Sequence, residues 1–243
     1  MLTGDLGYCT NYSNTMDKGK NDHIKFAILA TDVALFSLKE GKLLVRVIDV
    51  DRPPHFVHVP GLPGGLVHPA ETALQAAKRL LQTKASIRSG LVHLEQLFTF
   101  DAVDRDPRGR VVAVAYLGFV PWAQLTAQEQ ADTESAKWIE VQRLPKLAYD
   151  HKEIMQLARK RLASRVTYTT LISKLLPKEL TLTELEQAFE VITGKEIDKR
   201  NFRKKLLKLG LLNELPRMKS GARHRPAKLY AFKSDTVQEI EIL

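Results

Sequence analysis

The last third of the chain sets two amphipathic helical periods on either side of a glycine and an aspartate, then a basic stretch between two short apolar runs, and few folds accept that order. From Thr181 the pattern is helical, and Thr183 and Glu186 stand at the spacing of a capping box, in which hydroxyl and carboxylate each satisfy an orphan amide of the first turn. Leu185, Ala188, Phe189 and Ile192 recur at i, i+3, i+4 and i+7, which predicts one buried face, and Gly194 predicts the stop. A second helix is expected from Asp198, a good N-cap residue, to Gly210. At about 100° per residue, Phe202, Leu206 and Leu209 fall on one side of it, and Arg200, Lys204 and Lys208 on the other, flanked by Asn201 and Arg203. After Gly210, "LLNEL" and "AKLYAF" read as short strands around the basic loop "PRMKSGARHRP". Helix, turn, helix and basic hairpin is the layout of a winged helix-turn-helix, whose second helix enters the major groove while the wing follows the phosphates.

The charge agrees with that layout. The 243 residues carry a net +9, yet residues 1–150 hold 17 basic and 17 acidic side chains, so the whole excess lies beyond them. Between Lys199 and Lys228 there are 11 basic residues (Lys199, Arg200, Arg203, Lys204, Lys205, Lys208, Arg217, Lys219, Arg223, Arg225 and Lys228) against the single acid Glu214. A solvated helix face and a basic loop is the plain reading of such a run, but its coincidence with a capped helix pair points to a polyanion, duplex DNA. RNA fits less well, because no exposed aromatics are expected among the charges, Phe202 being assigned to the apolar side of its helix. An apolar content of 44% supports a sizeable core in one or two domains, and the one cysteine, Cys9, cannot form an internal bridge, so a cytoplasmic location is expected. Residues 1–23 read as a disordered polar tail, and the longest apolar run, "FAILATDVALF", is broken by Asp32 and too short to cross a membrane.

In the first half, "FAILATDVALF" and "KLLVRVIDV" predict strands separated by the turn "SLKEGK". "VPGLPGGLVHPAE" reads as a loop of tight turns, and Thr72 to Thr83 as a helix burying Leu74, Ala77 and Leu81. "VHLEQLFTF" and "RVVAVAYLGFV" are expected strands around the loop "DAVDRDPRG". Strands with an interposed helix indicate an α/β layered domain. His55, His58 and His68 lie close in sequence but lack partners at metal-ligand spacing, so no metal site is expected from them.

"LPGGLVHPAE" resembles the opening of the Nudix box, with Gly65 and Glu71 at the family spacing and Arg79 matching its arginine. Where that family continues with helix glutamates, this chain has Leu80, Leu81, Gln82, Thr83 and Lys84, and the closing glycine is Ser86. In active members the glutamates at positions 80, 83 and 84 hold divalent cations, so the resemblance implies a domain with no catalytic residues, no metal and no metal-dependent hydrolysis. Further on, "LEQLFTFDAVDRDPRGRVVAVAYLGFV", "AYDHKEIMQLARKRL", "TLTELEQAFEVITGKEIDKRNFRKKLLKLGLL" and "RHRPAKLYAF" resemble the Nudix-related transcriptional regulators of NAD metabolism.

This second resemblance implies an α+β chain in which an N-terminal Nudix-like α/β/α sandwich (24–148) is followed by a connecting helix (149–165) and a C-terminal winged helix-turn-helix domain (166–243). It also implies a homodimeric repressor on a palindromic operator, with ADP-ribose or a related nucleotide as effector and no cofactor. Arg105, Arg108 and Arg110 are candidates for the diphosphate because guanidinium forks match phosphate oxygens, and Arg46 is a further candidate. Pairing with Asp104 and Asp106 is the plainer alternative for the loop arginines. Lys84 is expected either to meet a phosphate or to be an exposed helix lysine. Glu71 and Arg79 belong to the effector loop or form an ion pair that holds it. An ADP-sugar pyrophosphatase carrying a winged helix is the alternative function.

Overall fold

The computed structural model describes residues 27–221 and 224–240, with side chains described outside 220–225; the expected tail 1–23 lies outside these residues. Strand β1 (Ile28–Lys39) turns into β2 (Lys42–Arg52) through Glu40 and Gly41 alone, at φ +48° and +73°. That two-residue turn, with both central residues left-handed, matches the twist of the flanking strands and is tighter than the six-residue turn expected.

The sheet order is β3-β2-β1-β6-β5, with β3 at Phe56–Gly61, β5 at His93–Phe100 and β6 at Val111–Phe119. β4 (Gly64–Leu66) also pairs with β1, and β7 (Ala136–Glu140) with β2. β1 runs parallel to β6, while the other pairs are antiparallel. Helix α1 (Ala73–Lys84) covers one face, with Ala77 and Leu81 in a core shared with Val33, Leu35 and Ile48. Helix α3 (His151–Tyr168) covers the other, with Ile154, Ala158 and Leu162 against Phe36, Val45 and Leu117; a four-residue α2 (Ala127–Gln130) lies between β6 and β7. Cover on both faces explains why β1 is buried continuously from Ala30 to Ser37 and not at alternate residues.

Two expectations in this half need correcting. The loop "VPGLPGGLVHPAE" contains the end of β3 and all of β4, whose pairing comes from β2 and β1 and not from local β propensity. In α1 the buried residues are Ala76, Ala77, Leu80 and Leu81, while Leu74 is 39% exposed, about a quarter turn from the centre of that stripe. Its N-cap is Thr72, in a capping box with Gln75.

The C-terminal part comprises a 3₁₀ turn (Thr170–Lys174), α4 (Leu182–Thr193), α5 (Lys199–Lys208) and the ribbon β8 (Leu212–Gly221) and β9 (His224–Phe232). The capping box of α4 is Thr181 with Glu184, not Thr183 with Glu186, because the chain enters the helix one half-turn earlier and takes Glu186 into the interior. Gly194 ends α4 at φ +67°, and Asp198 caps α5 by accepting from the amides of Arg200 and Asn201. Phe189 and Phe202 meet edge to face at 4.8 Å and fix the crossing of the two helices. Leu209 shares their stripe but lies past the last helical residue and is 37% exposed. The ribbon is longer than expected: β8 continues through all of "PRMKSG", with irregular register between Glu214 and Met218. One continuous apolar core joins the sheet, α3, α4 and α5, so the connecting helix is packed along its length.

Candidate functional site

A cavity of about 460 Å³ opens where β1, the end of β2, β4, the C-terminus of α1, the β5–β6 loop and the start of α3 converge. Its floor is an ionic cluster. Arg105 donates through Nε and Nη2 to both oxygens of Asp150 at 2.8 and 2.7 Å, and Nη2 also reaches Asp32 at 3.2 Å. The other Asp32 oxygen lies 3.4 Å from His151 Nε2, while His151 Nδ1 accepts from the Leu62 amide at 2.9 Å. Since Nδ1 is an acceptor, a neutral His151 ring presents its N–H to Asp32. Burial alone would raise the Asp32 carboxyl, but His151 and Arg105 outweigh it and hold it below the usual carboxylate range. A β-carbon on Gly64 would fall 1.9 Å from Asp32 Oδ1, so only glycine lets β4 pass this carboxylate.

Over this floor stand Lys84, Arg52 and Arg108. Lys84 Nζ donates to the Gly64 carbonyl at 2.8 Å. Burial pushes the Lys84 ammonium down from its usual value, and Arg52 adds to the shift. Arg108 chelates Asp106 at 2.9 and 2.7 Å and lies over the Tyr149 ring at 5.6 Å, with its side chain 45% exposed.

The remaining candidates sit elsewhere. Glu71 and Arg79 form a two-bond pair at 3.0 and 2.5 Å, and Arg79 also donates to the Leu66 carbonyl, so they brace the loop beside the cavity. The Arg79 bond, helped by the His68 amide, lowers the Glu71 carboxyl to about 2. Arg110 donates to the carbonyls of Asp101 and Ala102 across the base of its loop. Arg46 is fully buried, bonded to the carbonyls of Ala85 and Ala131 and placed over the Trp138 ring, and does not line the cavity. Reading the residues alone missed Asp32, Arg52, Tyr149 and His151 as cavity residues, and Asp150 as the partner of Arg105 beneath them. The signal for one of them was present: a carboxylate inside an apolar strand needs a buried partner.

The second site is the exposed face of α5. Lys199, Arg200, Lys204 and Lys208 project from it with no ion-pair partner among the described residues, and Leu207, 51% exposed, lies between them. Asn201 donates to Asp198 at 2.7 Å, and Lys205 is half-buried toward α3. Arg203 is engaged differently: it pairs with Glu186, which is buried, and also reaches Thr183. On the wing, Arg217 pairs with Glu179, Lys219 with Glu184 at 2.6 Å and Lys228 with Glu214 at 2.5 Å. Arg223 and the side chain of Arg225 lie outside the described residues.

The NUDIX domain model matches residues 28–158, and the model of the NrtR DNA-binding winged helix domain matches residues 172–232. The "ADPR responsive transcriptional repressor NtrR" of Acinetobacter baylyi is 32% identical over 209 residues, covering 84% of this chain and 82% of its own length. Shewanella oneidensis NrtR complexed with a 27mer DNA superposes with TM-score 0.74 at 30% identity, over 84% of this chain and 93% of that one. A MutT/nudix family protein from Enterococcus faecalis follows with TM-score 0.67 at 26% identity, over 87% and 90%. Fold and matches together define a Nudix domain joined to a DNA-binding winged helix. Within that class, the chain belongs to the NrtR family of transcriptional regulators.

Proposed function

We propose that this protein is a transcriptional repressor that binds duplex operator DNA through its winged helix and senses ADP-ribose, or a closely related NAD-derived nucleotide, in its Nudix domain without hydrolysing it. The observation that carries the reading is the cavity: it is walled by Lys84, Arg52 and Arg108, lacks carboxylates on α1, and is floored by the first residues of the helix that leads to the winged helix. Residues 24–148 form the sensing unit, 149–165 the connection and 166–243 the reader. Arg108 and Lys84 supply the diphosphate contacts, while Arg105 and the Glu71–Arg79 pair shape the cavity around them. The divalent cation that this fold family implies does not fit the residues present: among the described residues no three His, Cys, Asp or Glu side chains cluster to hold one. The protein acts as a homodimer, because one winged helix offers few base contacts and a two-fold pair reads a near-palindrome.

Calorimetry on the full chain, with and without operator DNA, tests the sensing role. ADP-ribose should bind and should lower operator affinity by about 5- to 150-fold, the usual range of allosteric coupling, with operator lowering ADP-ribose affinity by the same factor. Identical ADP-ribose affinity in the two titrations would sink the proposal. With magnesium or manganese present, release of AMP and ribose 5-phosphate from ADP-ribose should not exceed a protein-free blank. Turnover near ~10 s⁻¹, typical of enzymes, would instead establish a pyrophosphatase.

For the DNA face, Arg200→Ala and Lys204→Ala should each relax base preference at a cost of about 1–3 kcal/mol, the value of a lost base contact. Lys219→Ala should weaken binding to all duplexes alike and reduce the salt slope, since wing contacts fall on phosphates. Filter binding over a salt series separates the two classes; equal losses on operator and random DNA for the α5 variants would refute the groove assignment.

A further inference from the structure

Lys84, the last residue of α1, stands among the positions where this fold family places metal-binding carboxylates. Of the three helix positions concerned, Leu80 is buried in the core and offers no donor. The Thr83 hydroxyl is donated to the Arg79 carbonyl at 3.0 Å. Thr83 and Lys84 both line the cavity, but only Lys84 brings a charge to it; one of its three N–H bonds goes to the Gly64 carbonyl and two remain for a ligand. Asp32 on the floor is already paired with Arg105 and His151, and Asp106 with Arg108.

We infer that the Lys84 ammonium replaces the divalent cation, so that the cavity holds a diphosphate ester as a metal-free anion. The inference rests on the reading that this cavity takes ADP-ribose. Two further observations support it. The Gly65 backbone runs close against the lysine: a β-carbon there would lie 3.2 Å from Lys84 Nζ and 3.0 Å from Leu80 Cδ2, tighter than an ordinary contact. The charge of Arg52 and, less strongly, those of Arg79 and Arg108 oppose that of Lys84, with Asp32, itself paired to Arg105 and His151, offsetting them in part. A site in which several cations face one another is unfavourable for magnesium and is relieved by an anion. The diphosphate supplies the anion, and Arg108 and the ammonium bind its oxygens from two sides.

The experiment is a titration of full-length protein with ADP-ribose, once with EDTA and once with millimolar magnesium, for wild type, Lys84→Gln and Lys84→Glu. Wild-type affinity should be unchanged by the chelator. Lys84→Gln should lose about ten-fold or more in both buffers, the scale of one hydrogen bond to a charged group. Lys84→Glu should bind worst in EDTA and recover partly with magnesium, because it restores a carboxylate. Wild-type binding that requires magnesium, or Lys84→Gln binding like wild type, overturns the role of Lys84 and leaves the sensing function standing. Failure of wild type to bind in either buffer removes both. If Lys84→Gln does not fold, the wild-type comparison in the two buffers still decides.

Discussion

Replacing Arg105 by alanine is expected to cost the protein about 3–5 kcal/mol, the range seen when one partner of a buried ion pair is removed. Its side chain is 4% exposed and serves two carboxylates, Asp32 and Asp150, that are themselves 7% and 9% exposed. Without it, Asp150 at the start of α3 and Asp32 on β1 lose the cation they share, and only Asp32 keeps a neighbour, His151, at 3.4 Å. The variant tests stability, and Arg105→Ala is therefore a poor probe of effector contact. Urea denaturation of the two proteins measures the effect, and a change below about 1 kcal/mol, the scale of an exposed pair, would show that the cluster is not as buried as its geometry indicates. The pH dependence follows with a definite sign. Asp32 has a lowered pKa in the folded protein, so its contribution is fully present above the unfolded carboxylate range near about 4 and disappears as pH falls through the lower folded value. Acid should therefore narrow the gap between wild type and variant.

Arg203→Ala is the second large effect, and it separates two roles that the helix pattern alone confounds. By spacing, Arg203 belongs with the cations that face DNA. In the structure it bonds Glu186, which is 1% exposed, and ties α4 to α5. Its removal leaves a buried carboxylate without its cation, a loss of about 1–3 kcal/mol or more, moderated because the arginine itself is 45% exposed and water can approach. The expected result is a lowered thermal midpoint, whereas Lys204→Ala on the neighbouring exposed position should leave the midpoint nearly unchanged. Glu186→Gln, which removes the buried charge while keeping the side-chain shape, should restore much of the stability in the Arg203→Ala background. If Arg203→Ala unfolds at the wild-type temperature but loses operator binding, Arg203 is a DNA contact and the strut assignment is wrong.

The order of the C-terminal elements, the winged helix they form, the neutral first half and basic second half, and the absence of helix carboxylates at 80, 83 and 84 were all determined by the sequence itself. Those features are local: caps, glycine stops and 3.6-residue periodicity act within a turn or two, and charge counts need no coordinates. Tertiary structure alone decided which charges are working surface and which are internal fasteners. Arg46, Arg105 and Arg203 look like Lys84, Arg108 and Lys204 in one dimension, yet the first three are spent on carbonyls and carboxylates brought from elsewhere in the chain: Ala85 and Ala131, Asp32 and Asp150, Glu186. An arginine's partner lies 17 to 85 positions away in these cases, which no local pattern encodes. The capping residue of α4 was displaced for the same reason: Thr181 and Thr183 have equal local claims, and only burial of Glu186 against α5 breaks the tie.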